Sequence, residues 1–170
     1  MPLSIFALMF TCFVDVMGQG LAFPIFAALL IQPNGGFIQG TNAPSNGAIL
    51  YGIAVGTFFL TWFFGSLYIS KLSDSIGRKS GILICLFGAI AGYAIATAGI
   101  ISRNYALLVI SRAITGFTAG AQPIAAAAMI DLAKNERESA RNLGLVTVGM
   151  SFGLVIGPII GGLFSDKNLL

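Results

Sequence analysis

Apolar residues fill five long stretches of the chain, near positions 3–31, 46–70, 80–101, 105–132 and 142–164, and polar residues gather between them. Each stretch approaches or exceeds the ~20 residues that a helix needs to cross a hydrocarbon core ~30 Å thick. The pattern predicts an all-α fold, a bundle of five transmembrane helices in one domain.

The polar connections set the direction of threading. The first, 32–45, is rich in Gly, Pro and Asn and carries no charge, whereas the second holds Lys71, Asp74, Arg78 and Lys79. The third is short and carries Arg103; the fourth holds Lys134, Glu136, Arg137, Glu138 and Arg141; and Lys167 follows the fifth stretch. Six Lys and Arg residues thus fall on the side of the second and fourth connections, against Arg103 and Lys167 on the other. The positive-inside rule places those two connections, and the N-terminus, in the cytoplasm of a multi-pass cell-membrane protein.

Composition removes the soluble alternative. Of the residues, 56% are hydrophobic and 9% charged, against ~25% charged in an ordinary soluble domain. From Met1 to Ser70 the single charged side chain is Asp15, so lipid is the natural solvent for this part. The opening stretch lacks a basic leader, carries Asp15 and is longer than a signal-peptide core, so it reads as a permanent span. A net charge of +3 in short clusters leaves no electrostatic footprint for nucleic acid. Histidine is absent, and Cys12 and Cys85 lie apart in apolar stretches, so neither metal nor cofactor is expected. No nucleophile and base pair or phosphate-binding loop suggests an enzyme.

The fifth stretch carries the sharpest motif. Gly144, Gly153, Gly157, Pro158, Gly161 and Gly162 form G-x8-G-x3-G-P-x2-G-G, a match of about one in a million per starting position at this chain's Gly and Pro frequencies. Gly149, Gly153, Gly157 and Gly161 recur every four residues and leave a stripe against which another helix can pack backbone to backbone. Pro158 cannot donate to the carbonyl of Leu154, so a bend is expected there.

Three further groups stand out. Residues 70–79 read S-K-L-S-D-S-I-G-R-K, in which Gly77 allows a tight turn while Asp74, Arg78 and Lys79 can latch neighbouring helix ends, Arg78 pairing with Asp131. Arg112, Gly116 and Gly120 follow at four-residue spacing in the fourth stretch. Arg112 sits roughly 10 Å into the membrane, where an arginine costs at least ~3 kcal/mol unless it faces a polar cavity or an acid, or snorkels to the outer interface. Asp15 is the one acid deep in a stretch, within D-x2-G-x-G-x3-P. Desolvation works against its charged form and a nearby Arg112 would favour it, so its protonation can depend on which side the cavity faces. Gln122 is a weaker polar candidate, equally suited to bonding between helices.

These motifs together, in this order, resemble the N-terminal part of a major facilitator superfamily transporter. The branch they are most similar to is that of drug and proton antiporters, tetracycline exporters among them. The likeness covers nearly the whole chain, with two departures in the second connection: Ser70 stands where the family has glycine and Ser75 where it has a basic residue. The resemblance implies five of the six helices of an N-terminal bundle, the sixth helix and the C-terminal half being absent. It implies export of small hydrophobic or amphipathic compounds against protons, with the lipid bilayer and the missing half as partners and no cofactor. Asp15, Arg112 and Gln122 would then serve coupling, and Asp74, Gly77, Arg78, Lys79 and Asp131 the cytoplasmic latch. Gly144, Gly153, Gly157, Pro158, Gly161 and Gly162 would be moving parts rather than ligand contacts. Two alternatives stay open: a sugar or metabolite symporter of the same superfamily, and a transport-inactive membrane fragment.

Overall fold

The computed structural model describes residues 3–31 and 46–165; the first connection and Lys167 lie outside them. All regular structure among these residues is helical: α1 (Leu3–Ile31), α2 (Gly47–Ile76), α3 (Arg78–Ile101), α4 (Tyr105–Phe117), α5 (Ala121–Asp131) and α6 (Glu136–Ser165). α4 and α5 form one span, so five rods are long and apolar enough to cross a membrane. Their outward faces present Phe87, Ile90, Phe152 and Leu154 with at least 60% of each side chain exposed. So much apolar surface suits lipid and not water, and the chain is a multi-pass membrane protein.

Helix ends differ from the apolar boundaries because hydropathy marks where lipid stops, not where backbone bonding stops. α2 continues past Ser70 to Ile76 and ends at Gly77, whose φ of 95° lies in the region that glycine reaches without a Cβ penalty. The Gly77 amide donates to Ser73 O at 3.0 Å, and α3 begins with the next residue. α6 begins at Glu136, before the apolar stretch starts, because Asn135 caps it: the Glu138 amide donates to Asn135 Oδ1 at 2.9 Å. Glu138 Oε2 also accepts from the Lys134 amide at 3.0 Å, which ties the residue before the cap to the first turn.

The fourth span is interrupted at residues 118–120, a break that the apolar pattern does not announce. Pro123 has no amide hydrogen, so the carbonyl four residues earlier, on Ala119, loses its helical donor. The Trp62 indole takes that place, donating Nε1–H to Ala119 O at 2.9 Å. α2 can approach this closely because Gly65 and Gly116 stand at its crossing with α4; a Cβ on either would overlap backbone carbonyls across the contact.

α1 and α6 form the most extensive pairing and run parallel. Two apolar clusters bracket the middle of the bundle. At one end Ala22, Phe26 and Leu30 of α1 meet Leu50, Ala54 and Leu108. At the other, Ile5 and Cys12 meet Ala125, Met129 and Val146. By its position along α1, Asp15 falls between them.

Candidate functional site

Asp15 lies at mid-length of α1, where burial among apolar side chains would isolate its charge. Two carboxamides answer it. Gln19, one turn along α1, donates Nε2–H to Asp15 Oδ2 at 3.2 Å, and Gln122, in the first turn of α5, donates to the same oxygen at 3.4 Å. Asp15 Oδ1 accepts no hydrogen bond among the described residues. The two carboxamides also line a cavity of about 360 Å³ with Phe23, Phe58, Phe59, Trp62, Thr147 and Ser151. The rings of Phe23 and Phe59 stack at 6.2 Å and Phe59 meets Trp62 at 6.0 Å, so this wall is an aromatic surface with a few polar groups. Such a lining accommodates amphipathic molecules with little geometric demand.

Arg112, on α4, retains only 5% of its exposure. Its guanidinium stands over the rings of Phe26, at 4.7 Å, and Tyr93, at 5.6 Å, which offers cation–π attraction in place of a counter-ion. Nε and Nη2 have no hydrogen-bond acceptor among the described residues. Among the described residues Arg112 forms no ion pair, with Asp15 or any other acid. The structure therefore brings Gln122 to Asp15 but leaves Arg112 apart from it, and directs Arg112 inward among aromatic rings. A second, water-sized cavity of about 10 Å³ has both Gln19 and Arg112 in its wall. Gln19 is one residue that sequence reasoning passed over: it falls at an unspecified position of D-x2-G-x-G-x3-P, beside the more conspicuous charge of Asp15.

At one end of the bundle, Arg78 bridges two acids. It donates Nε–H to Asp131 Oδ2 at 3.0 Å, pairs with Asp74 one turn before it, and reaches Ser73 Oγ at 3.3 Å. Gly77 supplies the turn that points Arg78 back at α2 and across to the last residue of α5. Lys79 makes no ion pair among the described residues and lines a groove with Leu3, Ala7 and Leu132. The two carboxylates are exposed and Arg78 is partly so, and solvent screens both ion pairs.

The glycine stripe of α6 faces α1 in register. A Cβ placed on Gly149, Gly153, Gly157 or Gly161 would lie 2.7, 2.6, 2.5 and 2.5 Å from the carbonyl oxygens of Met9, Phe13, Met17 and Leu21, respectively. Both helices advance by four residues per rung, and glycine Cα–H groups stand where those side chains would be, able to make weak bonds to the carbonyls. Pro158 packs on Gly20, and α6 remains helical through it. Gly144 and Gly162 lie off the seam, where an added Cβ would meet no other helix within 4 Å among the described residues, whereas Gly149, outside the six-residue motif, is part of it.

A family model described as the Major Facilitator Superfamily matches residues 5–168. The tetracycline resistance protein, class C, of Escherichia coli is 30% identical over 160 residues, 94% of this chain and 37% of the relative. The class H tetracycline resistance protein of Pasteurella multocida is 29% identical over 96% of this chain and 38% of its own length. A quinolone resistance protein, NorA, of Staphylococcus aureus is 26% identical over 97% of this chain and 39% of its own length. The chain thus spans well under half the length of these relatives. No solved structure matches it.

Proposed function

Because the chain belongs to the major facilitator superfamily, we propose that it is the N-terminal part of a proton-coupled exporter that moves small hydrophobic or amphipathic compounds, drugs among them, out of the cell. The observation that carries this reading is the setting of Asp15. A solitary carboxylate at mid-membrane, held by two carboxamides that also line an aromatic cavity, is an expensive arrangement without a polar task. It suits a group that gains and loses a proton as the cavity turns from one side to the other.

In this reading Asp15 Oδ1 receives the proton or the cationic part of a substrate, while Gln19 and Gln122 hold Oδ2. Arg112 acts on the carboxylate at a distance, through Gln19 and the small cavity they share, rather than by direct pairing. The α1–α6 seam lets the two helices slide or rock without side chains catching. Asp74, Gly77, Arg78, Lys79 and Asp131 latch the cytoplasmic end, and a second bundle supplies the opposite cavity wall.

Trp62 is the sole tryptophan of the chain and lines the cavity, so it reports on ligands directly. Titration of the purified chain in lipid nanodiscs with a tetracycline or a fluoroquinolone is expected to quench its emission. The half-saturation concentration should change about threefold or more between mildly acidic and mildly alkaline buffer, and Asp15→Asn should remove that dependence. In vesicles carrying the chain together with a complete C-terminal half, efflux should follow the imposed proton gradient. Binding with unchanged pH dependence in Asp15→Asn, or accumulation in place of extrusion, would overturn the proposal.

A further inference from the structure

The joint in the fourth span lies between Arg112 and Gln122, and its backbone is held from outside the span. The Thr118 amide donates to Ile114 O at 3.0 Å and the Ala119 amide to Gly116 O at 3.1 Å, which tightens the last turn of α4. Beyond that, Pro123 leaves Ala119 O without a helical donor, at a residue only 3% exposed. A bare carbonyl there would be costly in hydrocarbon, and the Trp62 indole meets it. Gln122 follows three residues later and donates to Asp15.

We propose that Trp62 is a positioning residue for Asp15: its indole, seated on the carbonyl that Pro123 releases, fixes how α5 leaves α4 and so keeps Gln122 against the carboxylate. Any consequence for transport rests on the proposed coupling role of Asp15, but the positioning itself does not. The titratable or charged groups around Asp15 are Cys12 on its own helix, Cys85 and Tyr93 on α3, and Arg112 beyond Tyr93 on α4. None of them donates a hydrogen bond to Asp15, so among the described residues the two carboxamides alone fix its Oδ2.

The side-chain amide resonance of Gln122 in the 15N-labelled chain in micelles, assigned by its loss in Gln122→Leu, tests the idea. Trp62→Phe keeps an aromatic ring and deletes the donor. It should move the Gln122 resonance toward its position in Asp15→Leu, where no acceptor exists, and displace half-titration of the Asp15 carboxyl infrared band by about threefold or more in proton concentration. Because Trp62→Phe also strands a carbonyl, the double variant Trp62→Phe/Pro123→Ala supplies a backbone donor and should recover thermal stability. The Gln122 resonance should stay displaced in it. A Gln122 resonance unmoved by Trp62→Phe, or one that returns to its native position together with stability in the double variant, overturns the positioning role. A displaced resonance with an Asp15 band that never titrates supports positioning and removes the proton-coupling reading instead.

Discussion

At the scale of single residues, the two carboxamides on Asp15 differ in what they connect. Gln122 ties the carboxylate to another helix, while Gln19 lies one turn away on the same helix and also faces the cavity shared with Arg112. Removing Gln19 therefore deletes one donor and cuts the path to the cation without separating α1 from α5. Gln19→Leu is expected to displace half-titration of the Asp15 carboxyl by about threefold or more in proton concentration, since a hydrogen bond to a charged group contributes about 1.5–3 kcal/mol before screening. The same change with Arg112→Gln added should displace it little further, because both act along one path; additive shifts measured by infrared titration would separate them. Asp15 and Arg112 are legible in the sequence because a charge in an apolar stretch is conspicuous. Gln19 and Trp62 are not. Pro123 announces that the Ala119 carbonyl loses its donor, but the indole that replaces it comes from 57 positions away, a distance no local pattern spans.

Whole elements carry the mechanics. Four-residue spacing reveals the face of α6 that lacks side chains, but only the packed pair shows that the seam runs from Gly149 to Gly161 and leaves out Gly144 and Gly162. The contrast predicts opposite outcomes for one chemical change. Gly153→Ala places a methyl group 2.6 Å from Phe13 O and is expected to cost about 1–3 kcal/mol as α1 and α6 are forced apart. Gly144→Ala meets nothing and should be neutral or stabilise by up to about 1 kcal/mol, through the lower entropy cost of alanine in a helix. Thermal unfolding in detergent distinguishes the two, and equal effects would mean that the seam is not close-packed. α5 is a second mechanical part, a rod of 11 residues with Gln122 in its first turn and Asp131 at its end. One end touches Asp15 and the other Arg78, so a tilt of this rod is felt at both places. An Arg78 and Asp131 double-mutant cycle should return a weak coupling that high salt reduces, as expected for a solvent-screened pair.

The molecule as a whole depends on which end faces the cytoplasm, and the charges bear on that more firmly than any contact does. Lys71, Arg78, Lys79, Lys134, Arg137 and Arg141 gather at the end where α2 meets α3 and α5 meets α6, whereas Arg103 stands at the opposite end between α3 and α4. The parallel run of α1 and α6 makes both helices enter from the same side, as the first and fifth of five alternating spans must. In the proposed topology the basic end is cytoplasmic, so the Arg78 latch would face inward and the Tyr105 end outward. In a background with Cys12→Ala and Cys85→Ala, a membrane-impermeant maleimide added to intact cells should label Arg103→Cys, and should label Glu138→Cys only after the membrane is opened. Removing cations from the inner side alone, with Lys71, Lys79 and Lys134 replaced by glutamine, should weaken this asymmetry and produce a fraction of chains labelled at Glu138→Cys from outside. A chain whose labelling ignores those lysines would owe its direction to something other than charge, and the cytoplasmic assignment of the latch would lose its physical basis.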